Sequence, residues 1–250
     1  MLKSVRVEVE LSQTPGSPAW WQNRLNTTQT ALRKNVGRPQ ISHDKFIEAA
    51  IEIIDVRGVE ALSLRQLAQR VGSGTATLYR HFTSKEEIVV CAVDYILGEA
   101  PTRTIDTSNF NWQQICHLIG VGAYKGFLRH PNFIPLIAAQ VPIGPNAMAK
   151  RERAIAALLV RGLTTEFAAK AYSSLVHYSL GHAIQFSSGG SFPEARSNEF
   201  CEYYRSLDKT DFPAVVAVAE HLPSISDEDE FEFGLNSIIN GLEQLRNASI

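Results

Sequence analysis

Helical spacing of the apolar residues constrains the fold of this chain more than any other feature. From Ser42 onward, apolar side chains recur every three to four positions, first in the run Phe46, Ala49, Ala50, Ile53 and Ile54. The same spacing predicts further helices at 111–129, 132–140, 144–161, 165–188, 212–221 and 227–246, with prolines near their edges. No segment after residue 11 alternates convincingly as a strand does. The sequence therefore predicts an all-α fold.

Composition excludes several classes of protein. Hydrophobic residues make up 44% of the 250 residues and charged residues 20%, which is typical of neither a disordered chain nor a membrane protein. No run approaches the roughly 20 apolar residues of a membrane-spanning helix, and residues 1–18 lack the apolar core of a signal peptide. Cys91, Cys116 and Cys201 are widely spaced, which favours reduced thiols. We expect a soluble, cytoplasmic protein without a cofactor.

The charges are distributed unevenly along the chain. Residues 1–90 carry 12 Lys and Arg against 9 Asp and Glu, whereas residues 91–250 carry 12 against 17. A basic first third is compatible with an anionic partner.

Two short helices and a tight turn follow the first long helix. Ser63 begins a capping box that ends at Gln66, and Gly58 ends the preceding helix. The triplet Gly72-Ser73-Gly74 forces a turn, after which a helix is predicted from Thr75 to Phe82, anchored by Leu78 and Phe82. Ser84 caps a fourth helix. Two short helices packed on a longer one in this way form a helix-turn-helix, whose second helix fits the DNA major groove.

These motifs resemble the tetracycline-repressor (TetR) family of bacterial regulators. The match runs from Gly37 to about Leu97 through GRP, LSLRQLAQRVG, TLYRHF and SKEEI. It continues more faintly to about residue 246 through WQQI, LRHP, GLTTEFAAKAY, HYSLGH and EFEFGLNSIINGLE. Residues 1–36 are predicted to form a partly flexible extension, in which residues 19–36 could form a short helix. The resemblance implies a DNA-binding domain at 37–83 and a ligand-binding and dimerisation domain at 84–250. It also implies a homodimeric, ligand-responsive repressor that binds a palindromic double-stranded DNA operator.

The family's DNA contacts map onto eight positions of this sequence. The resemblance assigns base contacts to Arg65, Thr75, Ala76 and Thr77, and phosphate contacts to Tyr79, His81 and Lys85. Arg38, with Arg33 and Lys34, is either a solvated basic patch or an arm that reaches the minor groove. One departure is Gly74, where many members have a serine cap, so the start of the second short helix is less well defined.

The family's effector site is altered in this chain. Its metal-binding and drug-contacting positions fall on Ile119, Ala123, Ile137, Gln140, Arg153 and Gln185. An aliphatic side chain cannot bind Mg²⁺, so we expect no metal and no magnesium–tetracycline chelate. The candidate ligand-binding set comprises Ile119, Ala123, Phe127, Ile137, Gln140, Arg153, His177, His182, Gln185 and Phe186. It predicts a small, mainly apolar or aromatic organic effector, with an acid group as an option for Arg153. The alternative is that the helices close and leave no cavity.

Apolar stripes on two helices predict the dimer interface. The resemblance places Ala171, Leu175 and Tyr178 of one helix, and Leu235, Ile238 and Leu242 of the last helix, against a second copy. The alternative is that these stripes form core within one chain.

No catalytic constellation is apparent in the sequence. Gly120-x-Gly122 lacks the strand of a dinucleotide loop and favours either close helix packing or a kinked, ligand-adjacent segment. His177 and His182 are five positions apart, a poor spacing for one zinc ion on a helix. We therefore expect no enzyme. The remaining alternatives are a constitutive or partner-controlled DNA-binding protein and an all-α small-molecule enzyme.

Overall fold

The computed structural model describes residues 14–32, 42–99, 105–188 and 197–248. Every regular element within these ranges is helical, which confirms the all-α prediction. The α-helices are α1 (Pro18–Leu32), α2 (His43–Arg57), α3 (Leu64–Arg70), α4 (Thr75–Tyr79), α5 (Lys85–Leu97), α6 (Trp112–Leu128), α7 (Ile134–Ala138), α8 (Pro145–Val160), α9 (Thr165–Ser187), α10 (Ser197–Ser206), α11 (Pro213–Ala217) and α12 (Asp227–Ala248). Among these, none is long and apolar enough to cross a membrane.

The predicted helix boundaries rest on side-chain caps. The Ser63 hydroxyl accepts the N–H of Gln66 at 3.2 Å, and the Ser84 hydroxyl accepts the N–H of Glu87 at 3.3 Å. Each bond satisfies a backbone donor that the first helical turn leaves unpaired. Gly58 ends α2, as predicted, with its N–H donating to the carbonyl of Ile54.

The chain divides into two compact units. The first comprises residues 1–104 and 129–154, and the second comprises residues 105–128 and 155–250. In the first unit, α2 packs on α3 and α5 around side chains with no exposed surface. They include Phe46, Phe82, Ile54, Leu67, Leu78 and Ile88. This core holds the two short helices α3 and α4 on the longer α2 and α5.

The second unit is built on α6, α9 and α12. Gly120 of α6 lies so close to α12 that a Cβ atom there would stand 2.6 Å from Leu235 Cδ1. The buried Ser179 hydroxyl of α9 donates to the Gly120 carbonyl at 2.9 Å. Gly120 therefore serves close helix packing, which is one of the two interpretations that the sequence leaves open.

The short helix expected within 19–36 is present as α1 (Pro18–Leu32). Three other segments differ from the sequence prediction. The helix expected at 212–221 spans only Pro213–Ala217, and residues 218–221 form turns. Helix α4 ends at Tyr79 instead of Phe82, because the chain turns to place Phe82 in the core. Helix α10 was not predicted, although Phe200, Cys201 and Tyr204 share its less exposed face at helical spacing.

Candidate nucleic-acid interface

The turn between α3 and α4 has a defined hydrogen-bond pattern. Gly72 adopts φ +72°, its N–H donates to the Gln69 carbonyl at 3.0 Å, and the Ser73 N–H donates to the Ala68 carbonyl at 2.9 Å. This pair of bonds is a Schellman motif, which needs a residue in the left-handed region at the position of Gly72. The motif fixes the direction in which α4 leaves α3.

Helix α4 presents a polar face to solvent. It begins at Thr75 after an extended Gly74 that supplies no side-chain cap, so the serine missing from the sequence is also missing from the geometry. Thr75 and Ala76 are exposed, as is Arg65 on α3. Thr77 is half-buried, and its hydroxyl accepts a hydrogen bond from Arg80 at 3.3 Å. Four predicted base-contacting residues thus lie on two adjacent helices.

The predicted phosphate contacts lie at the end of α4 and the start of α5. Tyr79 is 55% exposed, whereas its neighbours Leu78 and Phe82 are fully buried, which confirms their anchoring role. Lys85 is half-buried at the first position of α5. Arg38, Arg33 and Lys34 lie outside the described residues.

The side chain of His81 is less exposed than expected for a residue that contacts phosphate. Its ring is half-buried and lies 5.5 Å from the Phe46 ring and 6.5 Å from the His43 ring. Burial, with the positive charges of Arg80 and Arg24, lowers the pKa of His81. The lowered pKa leaves the imidazole mostly neutral near pH 7.

Sequence reasoning missed residues of α1 that lie beside this surface. The Trp20 indole Nε1 donates to Glu87 Oε1 at 3.1 Å, and both side chains are buried. The Arg24 guanidinium donates to the carbonyl of His81 at 3.4 Å. The available signals were the Trp20-Trp21 doublet and a second acid in SKEEI, but spacing alone cannot pair positions 67 residues apart.

Seven of the predicted ligand-binding residues lie in the second unit. Ile119, Ala123 and Phe127 are on α6, with Phe127 buried and the other two half-buried. On α9, His177, Gln185 and Phe186 are exposed and His182 is half-buried. Five positions on a helix correspond to a rotation of roughly 140°, so His177 and His182 occupy different faces.

The other three predicted ligand-binding residues lie in the first unit. Ile137 is buried on α7, Gln140 is half-buried and donates to the Leu136 carbonyl at 3.3 Å, and Arg153 is exposed on α8. The predicted set is therefore distributed over both units. Within the described part of the chain, no group of three or more His, Cys, Asp or Glu residues is arranged to hold a metal ion.

An aromatic cluster in the second unit was not predicted. The ring of Phe231 on α12 stacks on Tyr124 at 4.1 Å and on Tyr178 at 5.5 Å. His182 lies 5.3 Å from the Tyr124 ring, and its Nε2 is 3.1 Å from the carbonyl oxygen of Asp227. Among the predicted ligand-binding residues, His182 therefore packs against the aromatic rings of this cluster.

The predicted dimer residues separate into buried and accessible groups. Ala171, Leu175 and Leu235 have no exposed surface in the single chain, and Leu242 is 8% exposed. These four side chains pack inside the second unit, which is the intrachain-core alternative, and they leave almost no surface for a partner. Tyr178 and Ile238 are only half-buried.

Comparisons with known proteins agree with this geometry. Residues 46–90 match the model described as "Bacterial regulatory proteins, tetR family", and residues 106–246 match the "Tetracyclin repressor-like, C-terminal domain". The second match alone covers more than half of the chain. The chain belongs to the TetR family.

Individual TetR-family relatives cover most of the chain. The HTH-type transcriptional repressor DrrR1 of Streptomyces coeruleorubidus is 26% identical over 83% of this chain and 79% of its own length. The class E tetracycline repressor of Escherichia coli is 27% identical over 81% and 90%. The crystal structure of ActR of Streptomyces coelicolor in complex with actinorhodin superposes with a TM-score of 0.71 at 29% identity, covering 82% of this chain and 97% of that one.

The family assignment confirms the main functional prediction. This chain is a TetR-family DNA-binding transcriptional regulator with a helix-turn-helix in its first unit and a family ligand-binding domain that begins at residue 106. Its relatives are transcriptional regulators, and the family binds operators, dimerises and binds small-molecule effectors.

Proposed function

We propose that this TetR-family regulator is a repressor that binds a palindromic operator as a homodimer and leaves it when a small organic effector binds. The observation that carries the proposal is the exposed face of α4. The Schellman turn before this helix and the buried anchors Leu78 and Phe82 fix its position. Relatives named as repressors support the sign of regulation. We retain the division into an extension at 1–36, a DNA-binding domain at 37–83 and a ligand-binding and dimerisation domain at 84–250, and we assign no catalysis.

The proposed DNA contacts fall into two groups. Arg65, Thr75, Ala76 and Thr77 read base edges, because short polar or small side chains at the start of a helix reach the floor of the major groove. Tyr79, His81 and Lys85 hold phosphates and fix the register of the helix. Arg38 reaches the adjacent minor groove in this proposal.

The proposed dimer interface uses the accessible edges of α9 and α12. Two stripes with the same 4-3-4 spacing run along these helices: Ser174, Tyr178, Gly181 and Gln185 on α9, and Gly234, Ile238, Gly241 and Leu245 on α12. They meet where the Tyr178 hydroxyl donates to the Phe231 carbonyl at 3.0 Å. Among the described residues, no atom outside the local helix backbone lies within 4 Å of a Cβ added at Gly181 or Gly241, which leaves room for a partner helix to approach closely. Of the six residues predicted from the sequence, this interface retains Tyr178 and Ile238. It omits Ala171, Leu175, Leu235 and Leu242, which are buried in the single chain.

The proposed effector is a mainly apolar or aromatic molecule that binds without Mg²⁺. Ile137 stands where the family's metal ligand is found, and an aliphatic side chain supplies no oxygen to a hard cation. The ligand of ActR, actinorhodin, is a reasonable first probe because ActR is among the more similar solved structures. Effector binding would change the separation of the two reading helices, which must enter successive major grooves roughly 34–36 Å apart. The effector shifts this equilibrium only as far as it discriminates between the two states.

The experiment that tests the proposal is effector-dependent release of DNA. A fluorescein-labelled duplex is first obtained by in vitro selection against the full-length protein, and its anisotropy is followed while actinorhodin, or tetracycline with Mg²⁺, is added. We expect actinorhodin to lower the anisotropy to that of free DNA and tetracycline with Mg²⁺ to have no effect. Release by magnesium–tetracycline would contradict the assigned effector class. Selection of a non-palindromic duplex bound by one monomer would contradict the dimeric mechanism.

A further inference from the structure

Helix α1 precedes both segments that match the family, yet it is packed into the first unit. The family matches begin at residue 46, whereas α1 spans Pro18–Leu32. Trp20 and Trp21 are each only 8% exposed. A buried tryptophan removes roughly 150–250 Å² of surface from water, so Trp20 and Trp21 make α1 an integral part of the packing of the first unit.

Trp20 pairs with a buried carboxylate that also contacts the backbone after α4. Glu87 is 7% exposed, accepts the Trp20 Nε1 proton on Oε1 at 3.1 Å and accepts the Thr83 N–H on Oε2 at 2.7 Å. Arg24 Nη1 lies 4.0 Å from the same Oε2. A buried carboxylate is costly unless it is paired and hydrogen-bonded. Glu87 therefore holds Thr83 and Trp20 in a fixed relation.

Arg24 makes a second connection to the same segment. Its guanidinium lies over the rings of Trp20 and Phe82, 5.2 Å from each centroid. Nη2 donates to the His81 carbonyl at 3.4 Å and lies 2.6 Å from His43 Nε2. A planar guanidinium can serve these partners at once, because its donors point in several fixed directions. Arg24 thus connects His43, the first residue of α2, to the backbone at His81, which follows α4.

We infer that helix α1 positions the phosphate-contacting segment of the regulator, with Trp20 and Arg24 acting through Glu87 and the His81 carbonyl. The five residues from Arg80 to Ser84 link α4 to α5 and are followed by Lys85. This inference rests on the proposed phosphate contacts of His81 and Lys85. Helix α1 contributes by placing their backbone, and Trp20 and Arg24 need not touch DNA.

Most buried side chains of the first unit belong to elements other than α1. Phe46, Leu78, Phe82 and Ile88 are fully buried and belong to α2, α4, α5 and the link between the last two. Removing the indole N–H or the guanidinium alters the link at 80–84 while leaving these side chains in place. A positioning role therefore predicts a loss of DNA affinity in protein that is still folded.

The test compares Trp20→Phe and Arg24→Gln with the control Gln22→Ala, an exposed position on the same helix. The probes are the duplex selected with the unmodified protein and a scrambled duplex of equal length. Stoichiometric titration gives the active fraction, and anisotropy at several salt concentrations gives the Kd and its salt dependence. We expect both variants to keep a full active fraction while the Kd rises about tenfold on both duplexes. The slope of log K against log salt should fall by about one, as it does when one phosphate contact is lost.

Hydrogen exchange and a double-mutant cycle give an independent readout. The Thr83 amide should exchange faster in Trp20→Phe than in Gln22→Ala. The effects of Trp20→Phe and Glu87→Leu on Kd should be non-additive, because each variant lacks the hydrogen bond between the Trp20 indole and the Glu87 carboxylate.

Unchanged Kd and salt slope in both variants, or a loss confined to the active fraction, would overturn the inference. Lys85→Ala separates this failure from failure of the proposed contacts. If Lys85→Ala weakens binding and the α1 variants do not, only the positioning role is wrong. If Lys85→Ala has no effect either, the assignment of phosphate contacts is wrong.

Discussion

At the scale of single residues, two glycines in one turn have opposite requirements. Gly72 adopts φ +72°, whereas Gly74 is extended at φ −78° and a Cβ there would meet no atom within 4 Å. Gly74→Ser should stabilise the first unit by about 0.5–1 kcal/mol, through a new cap and a stiffer unfolded chain. Gly72→Ser should destabilise it by about 1–2 kcal/mol, because a side chain in the left-handed region is strained. Urea unfolding followed by circular dichroism measures both. Equal effects of the two substitutions would contradict the turn geometry.

His43 should make stability depend on pH. Burial, with the charges of Arg24 and His81, lowers the pKa of His43 below 6.5 despite the opposing effect of Asp44. The unfolded chain therefore takes up a proton that the folded chain resists, so the free energy of unfolding should fall as the pH drops below about 6.5. Above that pH both states are neutral and this contribution is constant. Unfolding in urea at pH 7.5 and 5.5 should show a smaller loss for His43→Gln than for the unmodified chain. An identical loss in both would show that His43 is not responsible.

Local signals predicted the caps and anchors, but not the partners of buried polar groups. Ser63, Ser84, Leu78 and Phe82 could be assigned because a cap or an apolar face depends on residues a few positions away. Trp20 and Glu87 could not be paired, because their contact arises from how α1 folds back on α5. For the same reason, the sequence could place His81 at the DNA surface but could not show that its ring contacts Phe46.

At the scale of elements, α5 carries a second buried acid. Asp94 is 5% exposed and accepts the N–H groups of Asn146 at 3.2 Å and Ala147 at 3.0 Å, at the start of α8. Burial raises the pKa of its carboxyl, while these two N–H groups act in the opposite direction. Gly144 lies against the Asp94 carboxylate, and a Cβ there would stand 2.7 Å from Trp21 Cζ2. Two charged-acceptor hydrogen bonds thus fix the start of α8 on α5.

Gly144→Ala should disrupt this junction. The added methyl group collides with Asp94 and Trp21, and overpacking of this kind costs about 1–3 kcal/mol. Gly122→Ala is the matched control, because no atom lies within 4 Å of its Cβ position and a helical glycine usually gains from the change. Thermal unfolding should show a lower Tm for Gly144→Ala only. An unchanged Tm would mean that the junction is not tightly packed.

Helical spacing could identify apolar stripes without showing what covers them. Ala171 and Leu175 on α9, and Leu235 on α12, belong to apolar stripes that could pack against either a second copy or a neighbouring helix of the same chain. The structure places them among α6, α9 and α12. Only the packing of three helices, which is not encoded in any one of them, distinguishes the two arrangements.

At the scale of the whole molecule, assembly can be tested at a glycine. Gly241→Arg introduces a long, charged side chain into the proposed interface, where no other element of the described structure lies within 4 Å of its Cβ position. The variant should fold with unchanged helicity but run as a monomer in light scattering, and its affinity for the selected duplex should fall. Gly122→Arg, equally unobstructed within the chain, should remain dimeric. A dimeric Gly241→Arg protein would place the interface elsewhere.

DNA recognition by α4 and the start of α5 is the central claim, and the salt dependence of binding tests it most directly. Anisotropy titrations of the selected and scrambled duplexes should be made with Lys85→Ala and Thr77→Ala. Lys85→Ala should weaken binding to both duplexes and reduce the salt slope by about one. Thr77→Ala should cost roughly 1–3 kcal/mol on the selected duplex, at particular base pairs, and leave the scrambled duplex unaffected. The same sequence-selective loss in both variants, or no loss in either, would contradict the account.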